Sequence, residues 1–228
     1  MRSEKAGNAT SLSPVGLILS LLLKCTVIVS AAVGTYISAG GRQAFMSGTR
    51  AFMYFTIQSN IAVALISLAG VFRLIGKAAP SRVWTILQFV GAVAITLTGM
   101  VFCFMLAPTF GRNAWSLPNV LTHVVVPIAA VLDFFLSGTR GQLKKRDALY
   151  GAIPPLAYAI YAGIGYLAHW EFSPGVYYPY YFLNWGSPAG AFGFIQGLPF
   201  MGCVWWILAL ALFLFLVGLL YIALLNRR

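Results

Sequence analysis

Six long apolar stretches dominate this chain and restrict its fold more than any other feature. Their approximate bounds are Val15–Ile37, Ala51–Val71, Val83–Ala107, Pro118–Leu136, Ala148–Trp170 and Phe200–Leu225. Each has close to the roughly 20 residues that an α-helix needs to cross a hydrocarbon core of about 30 Å. The stretches are continuous rather than alternating, which favours helices over the strands of a membrane β-barrel. We therefore predict an all-α membrane protein with six transmembrane helices.

Composition indicates a single domain. Hydrophobic residues make up 60% of the 228 residues and charged residues only 8%, far from the usual mix of a soluble globular protein. Most connections between the stretches are short, and no repeat, linker or low-complexity segment divides the chain. The first stretch is much longer than the roughly 7–15 apolar residues of a signal peptide, which indicates a retained span. We expect one six-helix domain over residues 1–228.

The basic residues that give the chain its net charge of +11 lie mostly on one side of the predicted membrane. The basic residues before helix 1, between helices 2 and 3, between helices 4 and 5 and after helix 6 are Arg2, Lys5, Arg73, Lys77, Arg82, Arg140, Lys144, Lys145, Arg146, Arg227 and Arg228. The opposite side carries only Arg42, Arg50 and Arg112. The positive-inside rule therefore predicts cytoplasmic N and C termini. This arrangement argues against nucleic-acid binding, and the short tails indicate a prokaryotic cytoplasmic (inner) membrane.

Two polar side chains lie at matching depths in different stretches. Thr56 follows Ala51, and His123 follows Pro118, by about one and a half helical turns, so both should lie roughly 7–8 Å below the outer boundary. Either could be structural, since a membrane threonine often bonds its own helix and a lone histidine often packs in a core. Together they predict acyl transfer, because a threonine hydroxyl needs a base during attack and neutral histidine suits that task.

Other polar groups share helix faces with this pair. Ser59 and Asn60 follow Thr56 by three and four residues, and Asn119 precedes His123 by four. These three residues are candidate donors to an oxyanion or to the polar part of a substrate. We expect the Thr56 hydroxyl within about 4 Å of a His123 ring nitrogen. We also expect one elongated cavity that contains both residues and opens towards the outer leaflet.

The long connection between helices 5 and 6, Glu171–Pro199, is rich in aromatic residues and glycine. Two interpretations remain open: an aromatic belt at the headgroup interface, or a cap over the mouth of a site below it. The candidate lid or substrate-contact residues are His169, Tyr178, Tyr181 and Trp185.

Two further charges lie inside the apolar stretches, Lys24 in the first and Asp133 in the fourth. Either they form a buried ion pair with a structural role, or Lys24 extends its side chain to the interface. Cys25, Cys103 and Cys203 have no paired spacing and are interpreted as small core residues. No Cys/His cluster fits zinc and the two histidines do not fit a haem site, so we expect no metal and no cofactor.

Some of these residues resemble the pattern of the androgen-induced membrane hydrolases, which cleave fatty acid esters of hydroxy fatty acids. The resemblance rests on Phe55, Thr56, Asn119, His123, Pro127, Asp133, His169, Tyr178 and Pro179. It implies an intramembrane threonine hydrolase, with serine-hydrolase-like chemistry, in which Thr56 is the nucleophile and His123 the base. The spacing of His123 and Pro127 differs slightly from that of the animal proteins. The resemblance therefore implies the fold and the catalytic pair of Thr56 and His123, but it does not identify the ester substrate.

The sequence thus predicts a membrane enzyme that hydrolyses long-chain acyl esters, with a membrane lipid or fatty acyl ester as substrate. The main alternative is a non-enzymatic membrane protein that binds or transports a lipid or small molecule. Transporters often contain internal repeats and broken helices, and neither is evident in the sequence. A third alternative is an assembly or chaperone subunit held by its small-residue faces. Ester hydrolysis that requires the Thr56 hydroxyl would favour the enzyme over these alternatives.

Overall fold

The computed structural model describes residues 12–41 and 48–227. In these ranges six helices are long and apolar enough to cross a membrane: α1 (Pro14–Gly40), α2 (Phe55–Ile75), α3 (Arg82–Phe110), α4 (Leu117–Ser137), α5 (Lys145–Leu167) and α6 (Cys203–Arg227). The predicted all-α membrane fold is confirmed, and the protein is an integral, multi-pass membrane protein. Within the same ranges, β-type pairing is limited to two isolated bridges, Ser173–Val176 and Phe194–Met201.

Six crossings place the start of α1 and the end of α6 at one end of the bundle. The connections α1–α2, α3–α4 and α5–α6 therefore meet at the opposite end, which we call the distal end. The side-chain bond between Arg82 at the start of α3 and Asp147 at the start of α5 agrees with this arrangement. The charged residues Arg2, Lys5, Arg42 and Arg228, which enter the topology prediction, lie outside the described residues.

One helix boundary changes the environment of a predicted site residue. α2 begins at Phe55 and not near Ala51, because residues Gly48–Met53 form a separate 3₁₀ helix. Thr56 therefore lies in the first turn of α2, where backbone N–H groups have no partner within the helix. The other five helices begin and end within three residues of the predicted bounds.

α3 and α4 each contain one π-helical turn, at Phe102–Leu106 and Leu121–Val125. One residue separates each turn from a proline, Pro108 in α3 and Pro127 in α4. A proline has no N–H, and its ring clashes with the carbonyl group one turn earlier, so a locally wider helix relieves the conflict. The same spacing in both helices therefore gives these two turns a local cause in the sequence.

α3 lies at the centre of the bundle. It is the most buried of the six helices and contacts α2, α4, α5 and α6. One cluster of core residues, including Val27, Val63, Ile95 and Val126, joins it to α1, α2 and α4. Gly99 lets α3 approach α4, since an added Cβ atom would lie 3.0 Å from the carbonyl oxygen of the residue at position 123.

Lys24 and Asp133 form a buried ion pair, the first of the two arrangements predicted for these charges. The Lys24 Nζ atom lies 2.6 and 2.5 Å from the two carboxylate oxygens of Asp133. The Ser20 hydroxyl donates to the same carboxylate at 2.6 Å. Both charged residues are buried, so the alternative of a lysine extended to the interface is wrong. The pair links α1 to α4, because either charge buried without its partner would destabilise the folded protein.

The three cysteines do not share one environment. Cys203 is buried and Cys103 is half-buried, as expected for small core residues. Cys25 is exposed on the surface of α1, so the interpretation of all three as core residues is wrong at this position.

Candidate active site

Thr56 and His123 meet at the distal end of the bundle. The Thr56 Oγ1 atom lies 3.3 Å from the His123 Nε2 atom, across 67 residues of sequence. Both side chains are buried. The contact joins the first turn of α2 to the π-helical turn of α4. The predicted distance of less than about 4 Å is therefore confirmed.

The other edge of the His123 ring is held by its own helix. Its Nδ1 atom lies 3.0 Å from the Asn119 carbonyl oxygen and 3.0 Å from the Thr122 hydroxyl oxygen. The Thr122 hydroxyl donates to the Pro118 carbonyl at 2.8 Å, so it can only accept from His123. Two acceptors facing Nδ1 assign the proton of a neutral imidazole to that atom. Nε2 is then free to accept the hydroxyl proton of Thr56, as a general base must.

The face of the His123 ring is fixed by Phe102. The two ring centroids are 3.9 Å apart and the planes differ by 20°. Phe102 is itself buried and lies in the π-helical turn of α3. The imidazole is thus restrained on its face and along its Nδ1 edge, which leaves Nε2 directed at Thr56.

Tyr180, in the connection between α5 and α6, completes the polar group. Its Oη atom accepts the backbone N–H of Thr56 at 3.3 Å and lies 3.4 Å from the Thr56 Oγ1 atom. Burial raises the pKa of the Tyr180 phenol, and hydrogen bonds with Thr56 oppose that change. A neutral phenol retains its proton as a donor. Since the Thr56 hydroxyl donates to His123, the Tyr180 hydroxyl is the one that donates to Thr56.

The sequence analysis did not identify Tyr180, although it selected two neighbours in the same tyrosine-rich run. Tyr178 is half-buried, and Tyr181 packs edge-on against Phe182 and Trp206. Spacing alone cannot distinguish these tyrosines, because the connection is irregular and has no periodic face. Only the fold of the connection directs Tyr180 to Thr56.

The remaining loop candidates lie around the site. His169 is exposed and places its ring edge-on to Tyr177, with centroids 5.7 Å apart. Trp185 is half-buried, and among the described residues its indole nitrogen has no hydrogen-bond partner. Among the described residues neither contacts Thr56 or His123, so the predicted lid or substrate role for them gains no support from the geometry.

Asn60 links the two helices that carry Thr56 and His123. Its side-chain nitrogen donates to the Thr56 carbonyl at 2.8 Å and to the Thr122 carbonyl at 3.1 Å. Both amide hydrogens are therefore engaged, which contradicts the prediction that Asn60 offers a free donor to an oxyanion. Ser59 also acts on the backbone, since its hydroxyl donates to the Thr56 carbonyl at 3.0 Å and is bonded to Thr98.

Asn119 contributes through its backbone rather than its side chain. Its side-chain nitrogen donates to the Ala114 carbonyl at 2.9 Å, so this amide is also occupied. The prediction that the Asn119 side chain donates to an oxyanion is therefore wrong. The carbonyl oxygen of the same residue orients His123 instead.

A cavity of about 60 Å³ lies beside Thr56. Its walls are mostly apolar and come from α2, α3, α5 and α6; they include Phe55, Leu97, Val101, Leu156, Ile207 and Leu210. Tyr180, Phe182 and Leu183 of the α5–α6 connection complete the lining. This part of the connection therefore covers the cavity, as the cap interpretation requires.

His123 lines a different cavity, a groove of about 340 Å³ bordered by α3, α4 and α6. The residues of α3 show how the two spaces are separated. Leu97 and Val101 face the cavity beside Thr56, whereas Met100 and Cys103 face the groove beside His123. In the part of the chain that the structure describes, these two spaces are separated by α3, so the predicted single cavity with both site residues is not found there.

Comparison with known protein families, curated proteins and solved structures finds no match to this chain. The chemistry available to the site follows from its own atoms: a hydroxyl, a base with an assigned tautomer, a phenol and a helix N-terminus.

Proposed function

We propose that this protein is an intramembrane hydrolase of long-chain acyl esters, with Thr56 as nucleophile and His123 as base. The observation that carries the proposal is the 3.3 Å contact from Thr56 Oγ1 to His123 Nε2. Nδ1 of the same ring is tied to the Asn119 carbonyl, which leaves Nε2 as the proton acceptor. The resemblance of these residues to those of the androgen-induced membrane hydrolases supports the same assignment.

In the first half of the reaction, Thr56 Oγ1 attacks the carbonyl carbon of the ester while its proton passes to His123 Nε2. The carbonyl becomes a tetrahedral oxyanion. When this intermediate collapses, the bond to the alcohol oxygen breaks and His123 returns the proton to that oxygen. The products of this half are the free alcohol and an acyl ester of Thr56.

Two donors are positioned for the oxyanion. The backbone N–H of Thr56 and the hydroxyl of Tyr180 face each other, and a substrate carbonyl that enters between them can accept from both. Thr56 is the second residue of α2, where the positive end of the helix dipole favours developing negative charge. These groups replace the Asn60 and Asn119 side chains in the role that the sequence analysis had given them.

In the second half, water attacks the acyl ester and gives its proton to His123. The second tetrahedral intermediate collapses, the bond to Thr56 Oγ1 breaks and His123 returns the proton to Thr56. The fatty acid leaves and the starting state is restored. The cavity of about 60 Å³ beside Thr56 has room for a few water molecules, since a single water molecule needs roughly 10–15 Å³ of such space.

The lining of this cavity favours a hydrocarbon chain as the acyl part of the substrate. Leu156 of α5 and Ile207 of α6 both line it, and Leu156 is 39% exposed on the outside of the bundle. A lipid can therefore enter sideways between α5 and α6. A polar substrate would leave its hydrogen-bonding groups unpaired against such walls.

We assign the orientation from the charges. The basic residues Arg73, Lys77 and Arg140 lie at the end opposite the site, and the positive-inside rule places that end in the cytoplasm. The site then opens to the outer leaflet of a prokaryotic cytoplasmic membrane. Its substrate is accordingly a lipid ester of that leaflet.

Labelling with a fluorophosphonate probe tests the assignment directly. The purified protein in detergent should react with the probe, and mass spectrometry of its peptides should place the phosphonate on Thr56. Thr56→Ala should abolish the reaction, and Thr56→Ser should retain part of it. Thr26→Ala is the matched control, because Thr26 is an exposed membrane threonine whose hydroxyl bonds Leu22 at 2.9 Å.

Two results would overturn the proposal. One is undiminished labelling and ester hydrolysis in Thr56→Ala. The other is a folded wild-type protein that binds acyl esters, neither hydrolyses them nor reacts with the probe, and therefore fits the alternative of a lipid-binding protein.

A further inference from the structure

The chain forms a hairpin at the distal end immediately before α6. Ile195 N–H donates to the Phe200 carbonyl at 2.9 Å, and Gly202 N–H donates to the Gly193 carbonyl at 2.8 Å. Phe194 and Met201 form an isolated antiparallel bridge between the two arms. We call residues 190–203 the distal hairpin. It continues directly into the membrane-spanning α6 at Cys203.

The distal hairpin exposes large apolar side chains. Phe192 is 63% exposed, Phe194 72%, Leu198 47% and Phe200 52%. Scattered apolar residues are ordinary on a protein surface, but four within nine positions concentrate exposed apolar surface on one short segment. In water such surface promotes association, which favours an apolar environment around it.

Charge is absent from this part of the chain. Between Glu171 and Arg227 the sequence contains no Asp, Glu, Lys or Arg. A loop that stands in water normally carries such residues, whereas a segment in contact with hydrocarbon excludes them. In its lack of charged residues the hairpin therefore matches most of the helix it precedes.

Several polar backbone groups of the hairpin have internal partners. Besides the bonds between its arms, the indole N–H of Trp205 donates to the Phe192 carbonyl at 2.8 Å, and that of Trp206 donates to the Pro199 carbonyl at 2.8 Å. Irregular backbone can lie at membrane depth only where its polar groups are satisfied by protein. Tryptophan is also the side chain most typical of the membrane interface.

We propose that the distal hairpin inserts Phe192, Phe194, Leu198 and Phe200 into the lipid leaflet at the distal end. The occupant of this surface is the acyl-chain region just below the phospholipid headgroups. The inserted hairpin anchors the irregular α5–α6 connection at its α6 end. The other end is held by α5. The inference does not depend on the chemistry proposed for Thr56, and it holds for a protein of either function.

Photocross-linking tests the insertion in the otherwise unchanged chain. The cross-linking residue p-benzoylphenylalanine replaces Phe194 in one variant and Phe200 in a second. Each purified variant is reconstituted in vesicles of phosphatidylethanolamine and phosphatidylglycerol and irradiated. The matched control carries the same residue in place of Thr49, which is exposed at the same end on the 3₁₀ helix before α2.

Mass spectrometry should find phospholipid adducts at positions 194 and 200 at least tenfold more often than at position 49. Two positions are used so that a variant that fails to fold does not decide the outcome. A lipid yield at both positions no higher than at position 49 would overturn the proposal. So would adducts formed mainly with a second copy of the chain in the vesicles, because the surface would then be a protein interface.

Discussion

The Nδ1 atom of His123 lies 3.0 Å from the carbonyl oxygen of Asn119, one turn earlier in the same helix. In a catalytic triad a carboxylate has this position and holds the base in the correct tautomer. Here a neutral backbone carbonyl orients the imidazole, so no acidic side chain is needed. Glu171, the acid nearest the distal end in the sequence, pairs with Arg50 at 2.7 Å instead.

The first prediction concerns the coupling of Thr56 and His123. Thr56→Ala and His123→Ala should each lower kcat for ester hydrolysis by on the order of 10⁴-fold, and the double variant should be hardly worse. Residues that act as one unit lose their function together. Thr56→Ser should retain measurable turnover, because it keeps the hydroxyl and loses only the methyl group that restricts χ1. The assay uses purified protein in detergent and a panel of medium- and long-chain acyl esters.

Glu171→Gln is the control for this set and should stay within about twofold of the wild type, since an exposed ion pair contributes only about 0–1 kcal/mol. Full activity in a folded His123→Ala protein would contradict the role of His123.

The second prediction concerns Tyr180. Tyr180→Phe removes only the hydroxyl that lies 3.4 Å from Thr56 Oγ1. If that hydroxyl donates to the oxyanion, kcat should fall by about 10²-fold while KM changes little, because the bond is made mainly in the transition state. Steady-state kinetics on one long-chain ester measures both parameters. Tyr181→Phe is the matched control and should retain activity; an equal loss in that variant would indicate a general effect on the loop.

The third prediction concerns Asn60, which bonds the carbonyl groups of Thr56 and Thr122. Asn60→Asp keeps the shape of the side chain but removes both donor hydrogens. The Thr122 carbonyl then loses its side-chain donor, at a cost of about 1–3 kcal/mol of stability, whereas the Thr56 carbonyl keeps the Ser59 donor and should cost less. Denaturation in detergent should therefore show a lower midpoint, together with slower fluorophosphonate labelling of Thr56.

Gln58→Glu supplies the comparison for Asn60, because Gln58 is an exposed amide that donates to the Phe52 carbonyl at 3.0 Å. It should leave the midpoint nearly unchanged. A loss of activity in Asn60→Asp at full stability would return Asn60 to the oxyanion role that its contacts argue against.

The fourth prediction concerns the buried ion pair. Lys24→Met leaves the Asp133 carboxylate unpaired in the bundle and should destabilise the protein by about 3–5 kcal/mol. Adding Asp133→Asn should recover part of that loss, since the amide carries no charge and its oxygen can still accept from Ser20. Arg50→Met, which breaks an exposed pair, should cost at most about 1 kcal/mol. A double-variant loss equal to the sum of the two single-variant losses would show that the charges are not coupled.

Much of the architecture can be predicted from the sequence, because a membrane-spanning helix is defined by residues that are adjacent along the chain. A span needs about 20 consecutive apolar residues, and that requirement can be counted along the chain without knowledge of any contact. The same count paired Thr56 with His123, although it started at Ala51 and α2 begins at Phe55. Lys24 and Asp133 were paired by their opposite charges within the apolar stretches. The prolines after the two π-helical turns are a further local signal, although the sequence analysis did not use it.

The chemistry of the site depended on the tertiary structure. The rotation of each helix about its axis and the path of an irregular connection are set by packing between residues distant in sequence. For this reason Tyr180 could not be separated from Tyr178 and Tyr181, and the occupied amides of Asn60 and Asn119 could not be foreseen. The sequence by itself determined the six spans and which polar side chains lie within them. Only the folded bundle, with α3 between two cavities, decided which of their atoms meet.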